Sequence, residues 1–366
     1  MNLSLALGIL YLALLVITPL GIKVSFDSGL LGHSERQDVL VRAVVLEKRG
    51  GPEVLELREV QAPDPRPGEV LVEVASSALN RADLLQRMGL YPGPSADHEI
   101  PGLEFAGRVC AVGAGATRWR VGDEVMGIVS GGGHAEQLSI NEDQAMRLPQ
   151  GMSVSLAGAL PEVFMTAWDA LVLQGGLVAG GKALVHAGAS GVGTAAIQIC
   201  RMIGAEVVVT VSDVKRDRCL GLGAAAAVDY RSEDWLAVVA DYTEGQGVDV
   251  VLDVVGGDYL DRNVDALASR GTIVQVGVMA GGTAEFGLAK LLPKRATIVG
   301  TVLRGRSLEE KIALSRAFEA EVVPRFDDQT LQLVVDRRYQ LGQIADAHRY
   351  METNANVGKI ALDVVR

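Results

Sequence analysis

The segment from Ala183 to Ala196 limits what this chain can fold into more than any other. Ala183-Leu184-Val185-His186 reads as a short strand, runs into Ala187-Gly188-Ala189-Ser190-Gly191-Val192-Gly193-Thr194-Ala195-Ala196, and continues as a helical pattern over Ala195 to Ile203. Gly191, Gly193 and Ala196 form a G-x-G-x-x-A fingerprint. Glycine serves where the chain turns tightly and where backbone must approach a pyrophosphate; a small third residue lets helix and strand pack closely. The helix N-terminus then offers free N–H groups to phosphate. Alone the motif is weak. With a strand before it, a helix after it and the next strand at Glu206 to Val211, it reads as a dinucleotide loop rather than a structural turn.

The rest of the chain agrees with this placement. Apolar runs at Ala227 to Asp229, Val248 to Val255 and Thr272 to Val278 alternate with helical segments, and helix Glu162 to Leu173 precedes them, so a parallel sheet wrapped by helices is expected. Before them, short alternating segments at Val54 to Val60, Glu69 to Ala75, Phe105 to Val112, Glu124 to Ile128 and Glu136 to Ile140 predict a β-rich half. One helix, Asn80 to Met88, interrupts it, with Asn80 at the cap and Gly89 beyond the end. After Leu303 the pattern gives a helix near Leu308 to Glu321, a strand near Leu333 to Tyr339, a helix at Ile344 to Glu352 and a strand at Lys359 to Val364, a tail expected to rejoin the first half.

The second strand of the nucleotide unit bears on the choice of dinucleotide. An acid about 20 residues past the loop favours NAD, whereas small polar or basic groups favour the 2′-phosphate of NADP. Here Thr210-Val211-Ser212-Asp213-Val214-Lys215-Arg216 places Ser212 at the diagnostic position with Lys215 and Arg216 behind it, which favours NADPH. If Asp213 ends the strand instead, NAD is the better choice.

Composition excludes other classes. The chain of 366 residues carries 45 acidic against 34 basic side chains, a formal net charge of -11, which disfavours a nucleic-acid partner. Mean hydropathy of +0.25 is high for such a chain, and much of the excess lies in Met1 to Ile22, which holds no charged side chain. That length suits a membrane span, so the first 40 residues are read as an apolar extension: a dispensable or spurious start, an anchor, or a processed targeting segment. The expected location is cytoplasmic, with membrane contact only if residues 1–22 are a real anchor.

Beyond that extension the chain resembles the zinc-independent, zeta-crystallin-like NADPH:quinone oxidoreductases of the medium-chain dehydrogenase/reductase superfamily. The matching runs are Ala78-Leu79-Asn80-Arg81-Ala82-Asp83-Leu84 with Gly89-Leu90-Tyr91, Pro101-Gly102-Leu103-Glu104, His186 to Ile199, and Val357-Gly358-Lys359-Ile360. The resemblance implies an α/β fold: a GroES-like β-rich catalytic domain over residues 41–160 and 304–366, a Rossmann doubly wound parallel sheet over 161–303, and a homodimer. It also implies cofactor contacts at Thr166 and Leu303 beside the nicotinamide, Ser190, Gly191, Val192 and Gly193 at the phosphates, and Ser212, Lys215 and Tyr230 toward the adenine. Gly277 and Val278 would end a later strand, and Asn356 would lie on the returning tail.

A zinc alcohol dehydrogenase needs a Cys and a His-Glu pair at its catalytic metal. This chain has Asn80-Arg81 and Leu103-Glu104 at those places and only Cys110, Cys200 and Cys219, none close together, so no metal is expected and the thiols read as packing residues. A metal-free enzyme must use an acceptor that takes hydride readily, as quinones and enones do. Asn80 and Tyr91 are the candidate catalytic groups, the phenol as a donor to developing oxyanion charge; the bland readings are a helix cap and an interdomain tyrosine. Quinone reduction leads, enone or enoyl-thioester reduction follows, and a non-catalytic NADPH-binding protein is a third reading. His186 and Asp253 read more as packing and capping than as cofactor contacts. Arg304 and Arg306 are open between an anionic substrate and a solvated face.

Overall fold

The computed structural model describes residues 39–91, 93 and 98–364, so the apolar segment of residues 1–22 lies outside the described residues. Among the described residues no helix is long and apolar enough to cross a membrane.

Two large sheets organise the described residues, beside a two-stranded antiparallel sheet of Leu40–Val45 and Glu56–Gln61. The first has seven strands: Val335–Gln340, Lys359–Asp363, Glu69–Leu79, Glu104–Val112, Glu124–Ile128 and Met146–Arg147 in order, with Gln137–Asn141 added on Glu69–Leu79. The closing strand Lys359–Asp363 pairs antiparallel with Glu69–Leu79, Ile360 opposite Leu79, so the tail returns to the β-rich half. Alternation fixes which face is buried: Val70, Val72 and Val74 point into a core with Phe105, Ile140 and Leu362. The amphipathic helix Ile344–Glu352 covers that core with Ile344, Ala347 and Met351.

The second sheet is six-stranded and entirely parallel, in the order Ala226–Asp229, Glu206–Val211, Lys182–Val185, Val248–Asp253, Leu267–Gln275, Thr297–Gly300. This is the doubly wound order, and the direction of winding reverses between Lys182–Val185 and Val248–Asp253, where such sheets bind ligands. Its central strands Lys182–Val185, Glu206–Val211 and Val248–Asp253 are buried along nearly their whole length because helices cover both faces. His186 is buried on one face, bonded to Thr210 Oγ1 (3.0 Å) and Asn263 Oδ1 (2.7 Å) and packed edge-on against Trp235 and Tyr259.

Several expected boundaries move for identifiable reasons. Pro52–Val54 forms a 3₁₀ turn, so the following strand starts at Glu56 rather than Val54. The run expected to continue to Val278 ends at Gln275, where the Asp253 carbonyl takes the Val276 N–H at 2.7 Å. The helix expected over Glu162 to Leu173 is α-helical only over Pro161–Trp168 and continues as a π-helix over Asp169–Gln174. Within it the buried Asp169 carboxylate accepts from Arg306 (2.6 Å) and Thr301 (2.8 Å). Helix Leu308–Glu321 begins with a Ser307–Glu310 capping box and packs Phe318 against Trp168, 6.2 Å between ring centroids.

Candidate active site

The glycine loop meets its geometric requirements. Helix Gly191–Ile203 is capped by Ser190, whose hydroxyl accepts the Gly193 N–H at 3.0 Å. Gly193 is therefore not a free phosphate donor: a Cβ there would stand 2.4 Å from the Ala187 carbonyl oxygen and 2.5 Å from that of Gly188, so its role is close passage of the chain. The N–H groups of Gly191 and Val192, ahead of that bond, belong to the unpaired first turn that receives anions.

A cleft of about 460 Å³ opens at this loop. Ser190, Gly191, Val192, Ser212, Lys215, Tyr230, Asn80 and Asn356 line it. Gly193, Thr166, Gly277, Val278, Leu303 and Tyr91 do not line it. Thr166 and Leu303 are buried; after the strand Leu267–Gln275 it is Met279, not Gly277 or Val278, that lines the cleft, joined by Val254 and Val255 just past the strand Val248–Asp253. Asp253, also absent from the lining, is buried and caps the turn after its strand by accepting the N–H groups of Val255 (2.6 Å) and Gly256 (3.0 Å).

The charges along the cleft have one sign. Its charged lining residues are Arg81, Lys215, Arg231 and Lys359, and among the described residues no carboxylate lines it. The strand ends at Val211; Ser212 faces the cleft while Asp213 is 75% exposed and ion-paired with Arg216. Arg216 also pairs with Glu233 and so turns away, which leaves Lys215. Lys215 Nζ donates to the Asn354 and Asn356 carbonyls at 2.6 and 2.8 Å, and burial holds its ammonium below the ordinary lysine range, with Asp336 opposing. Arg81 donates to Asn354 Oδ1 at 2.7 Å, and Arg231 lies 5.6 Å over the Tyr230 ring. Lys215 and Arg81 rest on neutral oxygens, so their charge remains available to an anion.

At the other end, a buried ion pair sets the geometry. Lys359 Nζ donates to Glu104 Oε1 (2.7 Å), Asn80 Oδ1 (2.7 Å) and the Leu79 carbonyl (2.8 Å); the lysine and glutamate side chains are 3% and 0% exposed. Asn80 Nδ2 donates back to Glu104 Oε1 at 2.9 Å, and its backbone N–H donates to Asp83 Oδ2 at 2.7 Å. Asn80 thus lines the cleft with its amide orientation locked. Glu104 Oε2 accepts the Glu162 N–H at 2.9 Å, linking this group to the first turn of the next helix. The Glu162 carboxyl is pushed up to about 8, chiefly by burial and by the Glu104 charge, with Lys359 and Arg304 pulling it back. Tyr91 lies under Arg304, whose guanidinium is 4.8 Å from the ring centroid; burial raises the phenol's pKa and Arg304 partly offsets this. Glu104, Glu162 and Lys359 carry much of this geometry yet were not among the residues singled out from sequence. Lys359 and Glu104 lay inside runs shared with the resembling family, and Glu162 entered only as the start of the helix Glu162 to Leu173.

Two family descriptions match the chain, an alcohol dehydrogenase GroES-like domain over residues 66–174 and a zinc-binding dehydrogenase over residues 191–319. A quinone oxidoreductase of Pseudomonas aeruginosa is 31% identical over 315 residues, 86% of this chain and 96% of that protein. The crystal structure of Escherichia coli quinone oxidoreductase complexed with NADPH superposes with a TM-score of 0.78 at 29% identity, covering 89% of this chain and 99% of that one. A mycocerosic acid synthase-like polyketide synthase of Mycolicibacterium smegmatis is 33% identical over 328 residues; the match takes in 88% of this chain but spans only 15% of the synthase. Fold and cleft define a nicotinamide-dependent oxidoreductase built from a GroES-like part and a Rossmann part. Within that class, the chain belongs to the quinone oxidoreductase-like family of the medium-chain dehydrogenase/reductase superfamily.

The zinc in one of those descriptions does not fit the donors present. An ammonium, Lys359 Nζ, holds the oxygens of Asn80 and Glu104, and among the described residues no three His, Cys, Asp or Glu side chains are placed to share an ion. Zinc sites need three or four such ligands, so no step is routed through a metal.

Proposed function

We propose that this protein is an NADPH-dependent reductase of quinone-type acceptors that works without a metal. The observation that carries the reading is the all-cationic cleft, with Ser212 and Lys215 facing it and Asp213 turned out. A 2′-phosphate adds charge that Lys215, Arg81 and Arg231 attract, whereas a bare ribose gains nothing from them. The likeness to quinone oxidoreductases supports the acceptor class.

When bound, the reduced nicotinamide supplies a hydride. The chain's own residues supply the rest. Gly191 and Val192 receive the pyrophosphate at the helix N-terminus. Lys359 fixes the Asn80 amide at the cleft wall, and Tyr91 stands ready to donate a hydrogen bond to an oxygen gaining charge. Homodimer formation belongs to the same proposal. Enoyl-thioester reduction is the second reading, favoured by the half-buried Tyr91 phenol, whose pKa burial raises, as a proton donor.

The test is NADPH and NADH oxidation by the full chain against ortho- and para-quinones, enones and enoyl thioesters. Quinone turnover preferring NADPH supports the proposal. Faster enoyl-thioester turnover abolished by Tyr91→Phe moves the second reading to first, and no turnover with any acceptor leaves a binding protein.

A further inference from the structure

The loop between helix Ile344–Glu352 and the closing strand Lys359–Asp363 meets two of the cleft's cations through a single residue. Arg81 donates from Nη2 to Asn354 Oδ1 at 2.7 Å and from Nη1 to the Met351 carbonyl at 3.4 Å. Lys215 Nζ donates to the carbonyls of Asn354 and Asn356 at 2.6 and 2.8 Å. Asn354 therefore takes the guanidinium on its side chain and the ammonium on its main chain. Arg81, Lys215 and Asn354 all line the cleft. Lys215 comes from the turn after strand Glu206–Val211 of the parallel sheet and Arg81 from the first turn of helix Arg81–Arg87, so Asn354 brings together charges that arise in different parts of the fold.

The backbone shows what the asparagine is for. Helix Ile344–Glu352 is capped by Thr353, and Asn354 follows in the left-handed region at φ +55°, its N–H returning to the Met351 carbonyl at 3.1 Å. Glycine is the usual residue at that position and asparagine an occasional one. A glycine would make the same turn and offer Lys215 the same carbonyl. What asparagine adds is the Oδ1 that meets Arg81. The neighbouring carboxylates are engaged elsewhere: Glu352 pairs with Arg87, and Asp336 accepts from the Tyr350 hydroxyl at 2.7 Å and the Val357 N–H at 3.2 Å. Two like charges gathered on one uncharged residue repel, and an anion that contacts both relieves the repulsion.

We propose that Asn354 is a positioning residue for cofactor choice: its neutral amide and carbonyl hold Arg81 and Lys215 together so that both charges fall on a phosphomonoester at the adenosine end of the cleft. The inference rests on the NADPH reading above and gives the 2′-phosphate its bracket. A phosphate accepts from a guanidinium fork and from an ammonium at once. An amide fixes the direction of the fork and leaves its charge intact. A carboxylate in the same place would keep the geometry and cancel the charge.

The test uses the full chain and two probes that differ by one phosphate, adenosine 2′,5′-bisphosphate and 5′-AMP, titrated by calorimetry. The parent should bind the bisphosphate about tenfold or more tighter. Asn354→Asp keeps a residue that accepts the left-handed turn, an acceptor for Arg81 and the carbonyl for Lys215, and adds one negative charge. It should raise the Kd for the bisphosphate about tenfold and leave that for 5′-AMP within about twofold. Asn354→Gly keeps the turn and the carbonyl but removes the acceptor for Arg81; its loss should be about three- to fivefold and confined to the bisphosphate. A parent preference that survives unchanged in both variants would overturn the role of Asn354 and leave the NADPH reading standing. Equal losses on the two probes would also overturn it, by making Asn354 a support of the loop alone. A parent that binds the two probes equally would remove the NADPH reading itself, and the bracket with it.

Discussion

The two ends of the cleft handle positive charge in opposite ways. At the dinucleotide end, Lys215 leans on the carbonyls of Asn354 and Asn356 and Arg81 on the Asn354 amide. At the catalytic end, Lys359 is closed in a buried pair with Glu104. A cation resting on neutral oxygens keeps its charge for a ligand, whereas one neutralised by a buried carboxylate holds its neighbours in place. The first end is built to bind, the second to hold a shape.

The largest effect that would sharpen this contrast is on stability. Lys359→Met strands the Glu104 charge and should cost about 3–5 kcal/mol in urea or thermal unfolding; a loss under about 1 kcal/mol would show that the pair is not what holds the catalytic end. Gly193→Ala drives a Cβ into two backbone carbonyls. It should cost about 1–3 kcal/mol and weaken NADPH about 10- to 100-fold by fluorescence titration.

Glu162 gives an effect of known sign with pH. Its native pKa is raised above the ordinary carboxyl value, so the folded chain holds a proton that the unfolded chain releases. Stability should therefore fall as pH rises from about 4.5 to about 8 and level off above. Glu162→Gln should flatten that slope, with a gain of about 2 kcal/mol at the alkaline end after discounting for partial exposure. A parallel slope in the variant would contradict a proton-bearing Glu162.

Lys215→Ala should raise the Kd for NADPH about tenfold and barely move that for NADH; equal losses would remove the 2′-phosphate assignment. The smallest effect is expected from Asp213→Ala, within about twofold for both cofactors, because its exposed side chain points away from the cleft.

The same contrast decides what could be read from sequence. The phosphate-binding loop is a continuous stretch in which each glycine answers a local backbone demand, so strand, turn and helix were all legible. Ser212 against Asp213 was left open in sequence because one residue of strand register separates the two cofactors, and only the position of Val211 at the strand's end resolves which side chain faces in. The catalytic end is assembled from Asn80, Glu104, Glu162 and Lys359, which are distant in the chain and meet because the tail strand pairs with Glu69–Leu79. No local pattern announces that meeting. Gly277 and Val278 were misplaced relative to the lining for a related reason: Asp253 shortens their strand, and Met279 takes the position at the cleft.

The part played by the tail also orders events during synthesis. Ser190 of the glycine loop pairs with Gly358, whose N–H donates to the Ala189 carbonyl at 2.9 Å. Among the described residues, Glu104 is ion-paired with Lys359 alone. A ribosome that has already delivered both sheets' earlier strands has therefore not yet delivered a working cleft. Until residue 359 is in place Glu104 lacks this ammonium and the wall beside the glycine loop stays open, so the cleft is completed only when the tail strand pairs with Glu69–Leu79.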